Sequence, residues 1–181
     1  MKKLIFILLA LIVLVFSACS NTTSTGQSST STSTPTSTLM GWTTPPPLTI
    51  DQNKQYTATI KTNYGDIIVQ LFAQDAPLTV NNFVFLSQQG FYNHVPFYRI
   101  IPGFEMLSGE PLGELGEGPG YTFGGEIVDK PYSTGTLAMS NMGTGTNGSG
   151  FFICLADLST RVPLFRPKAL IFSVLLPAGW M

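Results

Sequence analysis

Charged side chains are scarce in this chain of 181 residues, because Asp, Glu, Lys and Arg together make up only 10% of it. The formal net charge is -1, and no stretch concentrates lysine and arginine into a basic stripe. The extended positive face that holds a nucleic-acid backbone is therefore missing, and we expect no nucleic-acid partner. Aromatic residues reach 12% of the chain, which excludes the composition of a fully disordered protein.

Cysteine and histidine are also rare, since the chain has two cysteines, Cys19 and Cys154, and one histidine, His94. Their spacing matches no metal-binding pattern, so we expect no metal site. Cys154 lies in an apolar, strand-like run, where a free thiol behaves as a small hydrophobic residue. His94 lies in a turn, where a solvated side chain is a more common role than catalysis.

The first 19 residues resemble a bacterial lipoprotein signal. Lys2 and Lys3 precede an apolar run over 4–16, which is shorter than the roughly 20 residues of a membrane-spanning helix. Small residues then precede Cys19, which would carry the lipid after cleavage. An ordinary signal peptide cleaved near Ala18 is the alternative, and a plain membrane anchor fits less well. Export and lipidation both predict a domain outside the cytoplasm, and lipid on Cys19 would anchor it to the cell membrane.

Residues 20–54 are low in complexity, with Ser and Thr dominant up to residue 38 and three prolines at 45–47. Such a segment cannot bury enough apolar surface to offset the entropy lost on ordering. We therefore predict a flexible tether with a stiffer proline end, which spaces the domain from the membrane. Trp42 within it could contact either lipid or the domain.

Residues 55–181 are predicted to form one mainly β domain. Apolar residues recur at every second position over 56–61 and 67–71, which indicates two strands. The sequence Asn-Tyr-Gly-Asp at 63–66 indicates the turn between them. These features predict an antiparallel hairpin at the start of the domain.

One helix is predicted next, with its N-cap at Asp75 and a proline in its first turn at Pro77. Apolar residues such as Val80 and Phe83 follow at helical spacing, and Gly90 is predicted to end the helix. We assign this apolar stripe to the core rather than to a cofactor site.

The stretch 97–111, FYRIIPGFEMLSGEP, contains a single arginine, Arg99, in an otherwise apolar strand-like run. Strand alternation over 95–101 predicts that Val95, Phe97 and Arg99 share one face. A guanidinium beside apolar side chains is costly unless something there uses its charge. A surface arginine, or one paired with a distant carboxylate, would explain the same residues.

A second stretch, 135–154, joins two short apolar strands through a loop of Gly, Thr, Asn and Ser. Together the two stretches resemble the cyclophilin family of peptidyl-prolyl isomerases. The matching blocks agree in order and spacing over 56–172, and they are Phe97-x-Arg99-x-Ile101-Pro102-Gly103-Phe104, Gly109-Glu110-Pro111, Gly118-x-Gly120-Tyr121, Gly135-Thr136-Leu137-Ala138-Met139 and Thr146-Asn147-Gly148-Ser149-x-Phe151-Phe152.

The resemblance implies an antiparallel β-barrel with a capping helix. It also implies cis-trans isomerisation of X-Pro bonds in Pro-containing polypeptides, whose uncatalysed rotation crosses a barrier of about 18–20 kcal/mol. Such a site needs an apolar pocket for the proline ring and a hydrogen-bond donor near the prolyl nitrogen. It uses no metal, cofactor or nucleophile, so we expect none.

Site residues follow from the same resemblance. Arg99 matches the catalytic arginine, a residue type that stays charged and offers several donors in a fixed geometry. Phe104 and Phe152 match the walls of the proline pocket, although core packing would explain either residue in isolation. Asn141, with Ser140 beside it, matches a residue whose backbone binds the substrate. The predicted substrate-binding residues are Phe97, Phe104, Leu107, Ser140, Asn141, Gly150 and Phe152.

Four positions depart from the family pattern. Tyr98 replaces a histidine and Glu105 a methionine, while Leu107 and Gly150 each replace a glutamine. Two amides that would steady the guanidinium and the substrate are thus missing, and small misplacements of a catalytic donor reduce rates strongly. Spacing alone does not decide whether Glu105 pairs with Arg99 or lies on the opposite strand face.

Residues 164–181 also depart from the pattern, because the family continues with a strand, a helix and a closing strand. We expect the closing elements to be missing, which would leave sheet edges open, and we interpret this end as truncated or frame-shifted.

The sequence therefore supports two functions. The first is an isomerase that helps exported proteins to fold. The second is a cyclophilin-like binding module for Pro-containing segments, with weak or no catalysis. Nothing in the sequence demands more than a monomer.

Overall fold

The computed structural model describes residues 41–159, except Leu115 and Asp129, and the backbone of a strand at 170–175. Within this part the chain forms seven strands and one helix. They are β1 Tyr56–Thr62, β2 Gly65–Leu71, α1 Pro77–Gln88, β3 Arg99–Ile101, β4 Glu105–Ser108, β5 Thr136–Met139, β6 Phe151–Cys154 and β7 Leu170–Leu175.

The seven strands form one sheet in the order β1-β2-β7-β5-β6-β4-β3, and every neighbouring pair is antiparallel. An antiparallel sheet with one helix confirms the predicted mainly β class. β7 lies between β2 and β5, so it joins the first hairpin to the remaining strands.

The predicted hairpin is confirmed. β1 and β2 pair over their whole length, from Tyr56 opposite Leu71 to Thr62 opposite Gly65. The hydroxyl of Thr62 donates to the Gly65 carbonyl at 2.8 Å and fixes the turn. On β2, buried Ile67, Val69 and Leu71 alternate with exposed residues, as the period of two requires.

The helix is also confirmed, but its predicted N-cap is wrong. The cap position is Ala76, which makes no side-chain cap hydrogen bond, while Asp75 pairs with Lys130 at 3.3 Å. The carboxylate of Glu126 caps the helix instead, accepting from the N–H groups of Leu78 (3.0 Å) and Thr79 (2.8 Å). A carboxylate at a helix N-terminus satisfies free N–H groups and favours the helix dipole. Sequence spacing could not reveal this cap, because Glu126 comes from a distant loop.

The core lies between α1 and the inner face of the sheet. Val80 and Phe83 of the helix pack against a cluster of buried apolar residues from the strands. On the sheet this inner face includes one row across three strands, in which Met106, Ile153 and Leu137 lie directly opposite one another. All three are buried, so this face of the sheet serves stability.

Residues 41–54, predicted as the end of the tether, pack against the domain. The Trp42 ring contacts Phe85 and Phe91, with centroids 5.3 and 6.0 Å apart, and the backbone N–H of Trp42 donates to the Pro119 carbonyl at 2.8 Å. The Asn81 amide group receives a hydrogen bond from the Thr49 N–H and donates to the Pro47 carbonyl, both at 2.9 Å. These contacts are not those of a flexible tether, and they place Trp42 on the domain.

Several predictions concern residues outside the described part. They are the lipoprotein signal with Cys19, the tether over 20–40, and the expected loss of closing elements after β7. In the described part, α1 is neither long nor apolar enough to cross a membrane.

Candidate active site

The strand that holds Arg99 is shorter than predicted. β3 begins at Arg99, and residues 95–98 are not in a strand. The ring of Phe97 packs against buried Phe151, with centroids 6.2 Å apart, at the edge of the core, whereas Arg99 is exposed. The predicted common face of Val95, Phe97 and Arg99 is therefore wrong, because alternation holds only where the chain runs as a strand.

Strand register brings Arg99 and Phe152 to one face of the sheet. Arg99 on β3 lies opposite Leu107 on β4, and Leu107 lies opposite Phe152 on β6. Directly opposed residues of antiparallel strands project from the same face, which here is the face turned away from the core. Neighbouring strands are about 4.8 Å apart, so the backbones of Arg99 and Phe152 are separated by about 10 Å. Arg99, Leu107 and Phe152 are called the outer row below.

Glu105 lies on the same face as the outer row. It pairs with Ile101 on β3 and with Cys154 on β6, and it precedes Leu107 by two residues on β4. Burial raises the pKa of the Glu105 carboxyl, and the charge of Arg99 offsets part of that rise. Glu105 therefore lies on the guanidinium side of the sheet and not on the opposite face, but in the described part of the chain it forms no ion pair with Arg99.

Phe152 is half-buried, and its ring packs against Tyr132, a residue that sequence reasoning missed. The ring of Tyr132 lies 5.7 Å from the Phe152 ring, and the Tyr132 carbonyl accepts a hydrogen bond from the Leu158 N–H at 2.8 Å. Burial, with Cys154 nearby, raises the pKa of Tyr132 to about 12, so it stays a neutral phenol. No sequence signal placed Tyr132 here, since it belongs to the irregular segment before β5.

Phe104 follows the turn at Pro102-Gly103 and is half-buried. Its N–H donates to the Ile101 carbonyl at 3.0 Å, and its carbonyl accepts from the Leu155 N–H at 2.9 Å. Both backbone polar groups of Phe104 are thus hydrogen-bonded, the N–H within the turn and the carbonyl to the chain after β6.

Ser140 and Asn141 lie in the loop between β5 and β6. The Ser140 N–H donates to the Gly150 carbonyl at 2.9 Å, which holds the start of the loop to its end. The Asn141 side chain donates to Asn147 Oδ1 at 2.8 Å and accepts from the Gly143 N–H at 3.2 Å. These two bonds fix the orientation of the Asn141 side chain within the loop.

A cavity of about 640 Å³ lies beside this loop. Ser140 and Asn141 form part of its wall, together with Met142 from the same loop, Glu110 just after β4 and Glu117 from the Gly-rich segment 112–125. Ser140 and Asn141 are thus the predicted site residues that line the cavity, whereas the outer row lies outside its wall. No cluster of three or more potential metal ligands occurs among the residues that the structure describes.

Comparison with known families identifies the fold. The family model described as cyclophilin type peptidyl-prolyl cis-trans isomerase/CLD matches residues 57–165. This chain belongs to the cyclophilin family.

Relatives and solved structures agree with that assignment. A peptidyl-prolyl cis-trans isomerase of Synechococcus elongatus is 50% identical over 97 residues, which are 54% of this chain and 67% of that protein. One from Helicobacter pylori is 45% identical over 103 residues (56% and 63%), and a probable isomerase A of Mycobacterium bovis is 39% identical over 142 residues (67% and 74%). The matches thus span 63% to 74% of these relatives.

The structure is similar to that of a cyclophilin type peptidyl-prolyl cis-trans isomerase of Cryptosporidium parvum. The TM-score is 0.62 at 28% identity, and the match covers 70% of this chain and 82% of that one. A second structure of that protein, in the presence of the dipeptide Ala-Pro, gives a TM-score of 0.62 at 29% identity and covers 69% and 82%.

The structure shows what surrounds two of the residues that depart from the cyclophilin pattern, Leu107 and Gly150. Leu107 is 7% exposed and lies directly opposite Arg99, so an apolar side chain occupies the position of the expected amide. At Gly150 a Cβ atom would collide with Oε1 of Glu110. The carboxylate of Glu110 therefore occupies the space beside position 150, and glycine leaves room for it.

Glu110 is the functional candidate that sequence reasoning overlooked. It is only 3% exposed, and burial raises the pKa of its carboxyl to about 7, with the Glu117 charge adding to the rise and the Gly116 N–H opposing it. The sequence showed Glu110 within a matching block but gave no sign that its carboxylate turns inward.

Proposed function

We propose that this cyclophilin is a peptidyl-prolyl cis-trans isomerase that acts on Pro-containing polypeptides. The outer row supports the proposal most, because a charged, exposed guanidinium and a half-buried phenyl ring project from the same face. An apolar ring near a charged hydrogen-bond donor can bind a group with one apolar and one polar side, as an X-Pro amide has.

The chemistry needs no covalent step. The proline ring packs against Phe152 and Phe104, and the guanidinium of Arg99 donates toward the prolyl nitrogen. Drawing that lone pair out of amide resonance lowers the rotation barrier of about 18–20 kcal/mol. Backbone groups at Ser140 and Asn141 hold the rest of the substrate, so that the twisted amide binds more tightly than either planar isomer.

Arg99→Ala tests this role in a protease-coupled assay on a short Ala-Pro peptide. Loss of the donor removes stabilisation of the twisted amide, so kcat/KM falls at least about tenfold. Lys61→Ala is the matched control, because Lys61 is also an exposed cation but lies on β1 at the opposite edge of the sheet. An unchanged rate in Arg99→Ala, with Lys61→Ala also unchanged, would reject the assigned role.

The binding-module function is retained as a second candidate on one observation. Leu107 opposite Arg99 supplies no hydrogen bond to orient the guanidinium. A wild-type chain that binds an Ala-Pro peptide in titration, yet leaves its exchange rate unchanged, would select the module.

We also propose that the chain is exported and anchored through lipid on Cys19, as the lipoprotein form of the family. The support is sequence alone: two lysines, a 4–16 apolar run and small residues before the cysteine. Metabolic labelling with a radioactive fatty acid should mark the wild type and not Cys19→Ser. Label retained in Cys19→Ser would contradict the anchor.

A further inference from the structure

We propose that the cavity beside the substrate-binding loop selects polypeptides with a lysine or arginine side chain near the proline, held between Glu110 and Glu117. This inference rests on the proposed isomerase function and adds a substrate class to it.

The first support for a cation site is the buried carboxylate of Glu110. Its side chain lines the cavity, it is 3% exposed, and its Oε2 atom has no hydrogen-bond partner. A buried carboxylate oxygen without a donor is costly, and most buried polar atoms in proteins are paired. A cationic donor that enters the cavity would satisfy this oxygen.

The second support is the carboxylate of Glu117, which lies on the Gly-rich segment, apart from Glu110 in the sequence. It lines the same cavity, and its Oε2 atom is also buried without a partner. The charge of Glu117 raises the pKa of Glu110, so the two carboxylates are close enough to repel each other. A single cation between them would relieve that repulsion.

No positive charge in the described part of the chain balances this pair. None of the residues that line the cavity is Lys, Arg or His, and the ion pairs described are Lys54–Asp51 and Lys130–Asp75, both outside it. The titratable neighbours of Glu110, apart from Glu117, are the phenols of Tyr92 and Tyr98, whose pKa values are raised mainly by burial. These phenols stay neutral and cannot replace a cation.

The remaining wall suits a side chain with an apolar stem rather than a bare ion. Phe91, Leu112 and Met142 line the cavity, and Leu112 and Met142 are exposed at its rim. Lysine and arginine place methylene groups on apolar surface and keep a charged tip, which here would reach the carboxylates. A cavity of about 640 Å³ has the size of a small-ligand site and easily accepts one such side chain.

The cavity wall includes two residues predicted to bind the substrate, which makes a substrate the expected occupant. Ser140 and Asn141 belong both to the cavity wall and to the loop predicted to hold the substrate backbone. The Ser140 N–H is bonded to the Gly150 carbonyl, and Glu110 fills the space at Gly150. A polypeptide bound at that loop would therefore pass the cavity within a few residues of its proline.

The test compares short Ala-Pro peptides that carry Lys, Arg, Gln or Glu at one position, scanned on both sides of the proline. Cis-trans exchange is measured by NMR, without a coupling protease that has its own sequence preference. The Lys and Arg peptides should show kcat/KM about fivefold above the Gln peptide at one or more positions, with the Glu peptide lowest. The preference should shrink in high salt.

Charge-neutral variants locate the effect. In Glu110→Gln and in Glu117→Gln the ratio of Lys to Gln peptide should fall to less than about twofold. Glu114→Gln is the matched control, because it removes the same charge from the same segment but is exposed and outside the cavity wall. A preference that survives both cavity variants, or disappears equally in Glu114→Gln, would overturn the proposal.

Failure of this inference differs from failure of the proposed function. Equal exchange rates for all peptides would reject the cationic preference and leave the isomerase standing. If no peptide is isomerised, binding of the same peptides by NMR titration decides: tighter binding of the Lys peptide supports the cavity proposal, and equal or absent binding rejects it.

Discussion

The two faces of β6 carry different kinds of side chain, although the sequence Phe-Phe-Ile-Cys is apolar throughout. Phe151 and Ile153 face the core and are buried, whereas Phe152 lies in the outer row with Arg99. A core face needs shape and volume, while the outer face combines an apolar ring with charges of both signs. Hydrophobicity alone therefore does not assign a phenylalanine to stability or to function, since only the strand register separates Phe151 from Phe152.

Replacing one residue on each face of β6 should separate an effect on stability from an effect on activity. Ile153→Ala removes a fully buried side chain and should lower the free energy of unfolding by about 3 kcal/mol. Phe152→Ala, on half-buried Phe152, should cost clearly less stability but lower kcat/KM for an Ala-Pro peptide. Urea unfolding and NMR exchange measure the two effects. A Phe152→Ala variant that loses more stability than Ile153→Ala and keeps full activity would reverse the assignment of the faces.

A pH series separates Glu105 on the outer face of the sheet from Glu110 in the cavity wall. The pKa of Glu110 is raised from 4.5 to about 7, so the folded state binds this proton more tightly than the unfolded state does. The free energy of unfolding should therefore fall as pH rises from about 4.5 to about 7, by about 2–3 kcal/mol from this group.

Glu110→Gln isolates that contribution, because the raised pKa of Glu105 acts in the same direction and remains in the variant. The wild type should lose more stability than Glu110→Gln across this pH interval in urea titrations. Identical pH profiles for the two proteins would show that Glu110 titrates normally and is not buried as described.

The smallest expected effect comes from the middle of the outer row. Leu107→Gln places an amide directly opposite Arg99, and an oriented guanidinium should raise kcat/KM by a few-fold, about 1 kcal/mol or less. Leu107→Met, which adds no donor or acceptor of comparable strength, is the control. A gain in both variants would point to packing rather than to orientation of Arg99.

Much of the fold followed from local signals. The hairpin and the helix were predictable because alternation, a turn sequence and a terminal glycine act over a few residues. The lack of a strand at 95–98 was not predictable, since an apolar run looks the same in a strand and in a packed loop. The Glu126 cap and the position of Tyr132 depend on contacts between distant segments, which periodicity does not record.

The site divides in the same way. Arg99, Phe104, Asn141 and Phe152 were found through motif resemblance, and their roles stay predictions until tested. The inward turn of Glu110 escaped notice, because the space that it fills exists only when β4 and β6 pair and Gly150 lies beside it.

A crystal structure with the dipeptide Ala-Pro bound would test the central claim most directly. The proline ring should lie against Phe152 and Phe104, with the guanidinium of Arg99 within hydrogen-bond distance of the prolyl nitrogen. A dipeptide bound elsewhere, or an Arg99 side chain directed away from it, would show that these residues do not form the isomerase site.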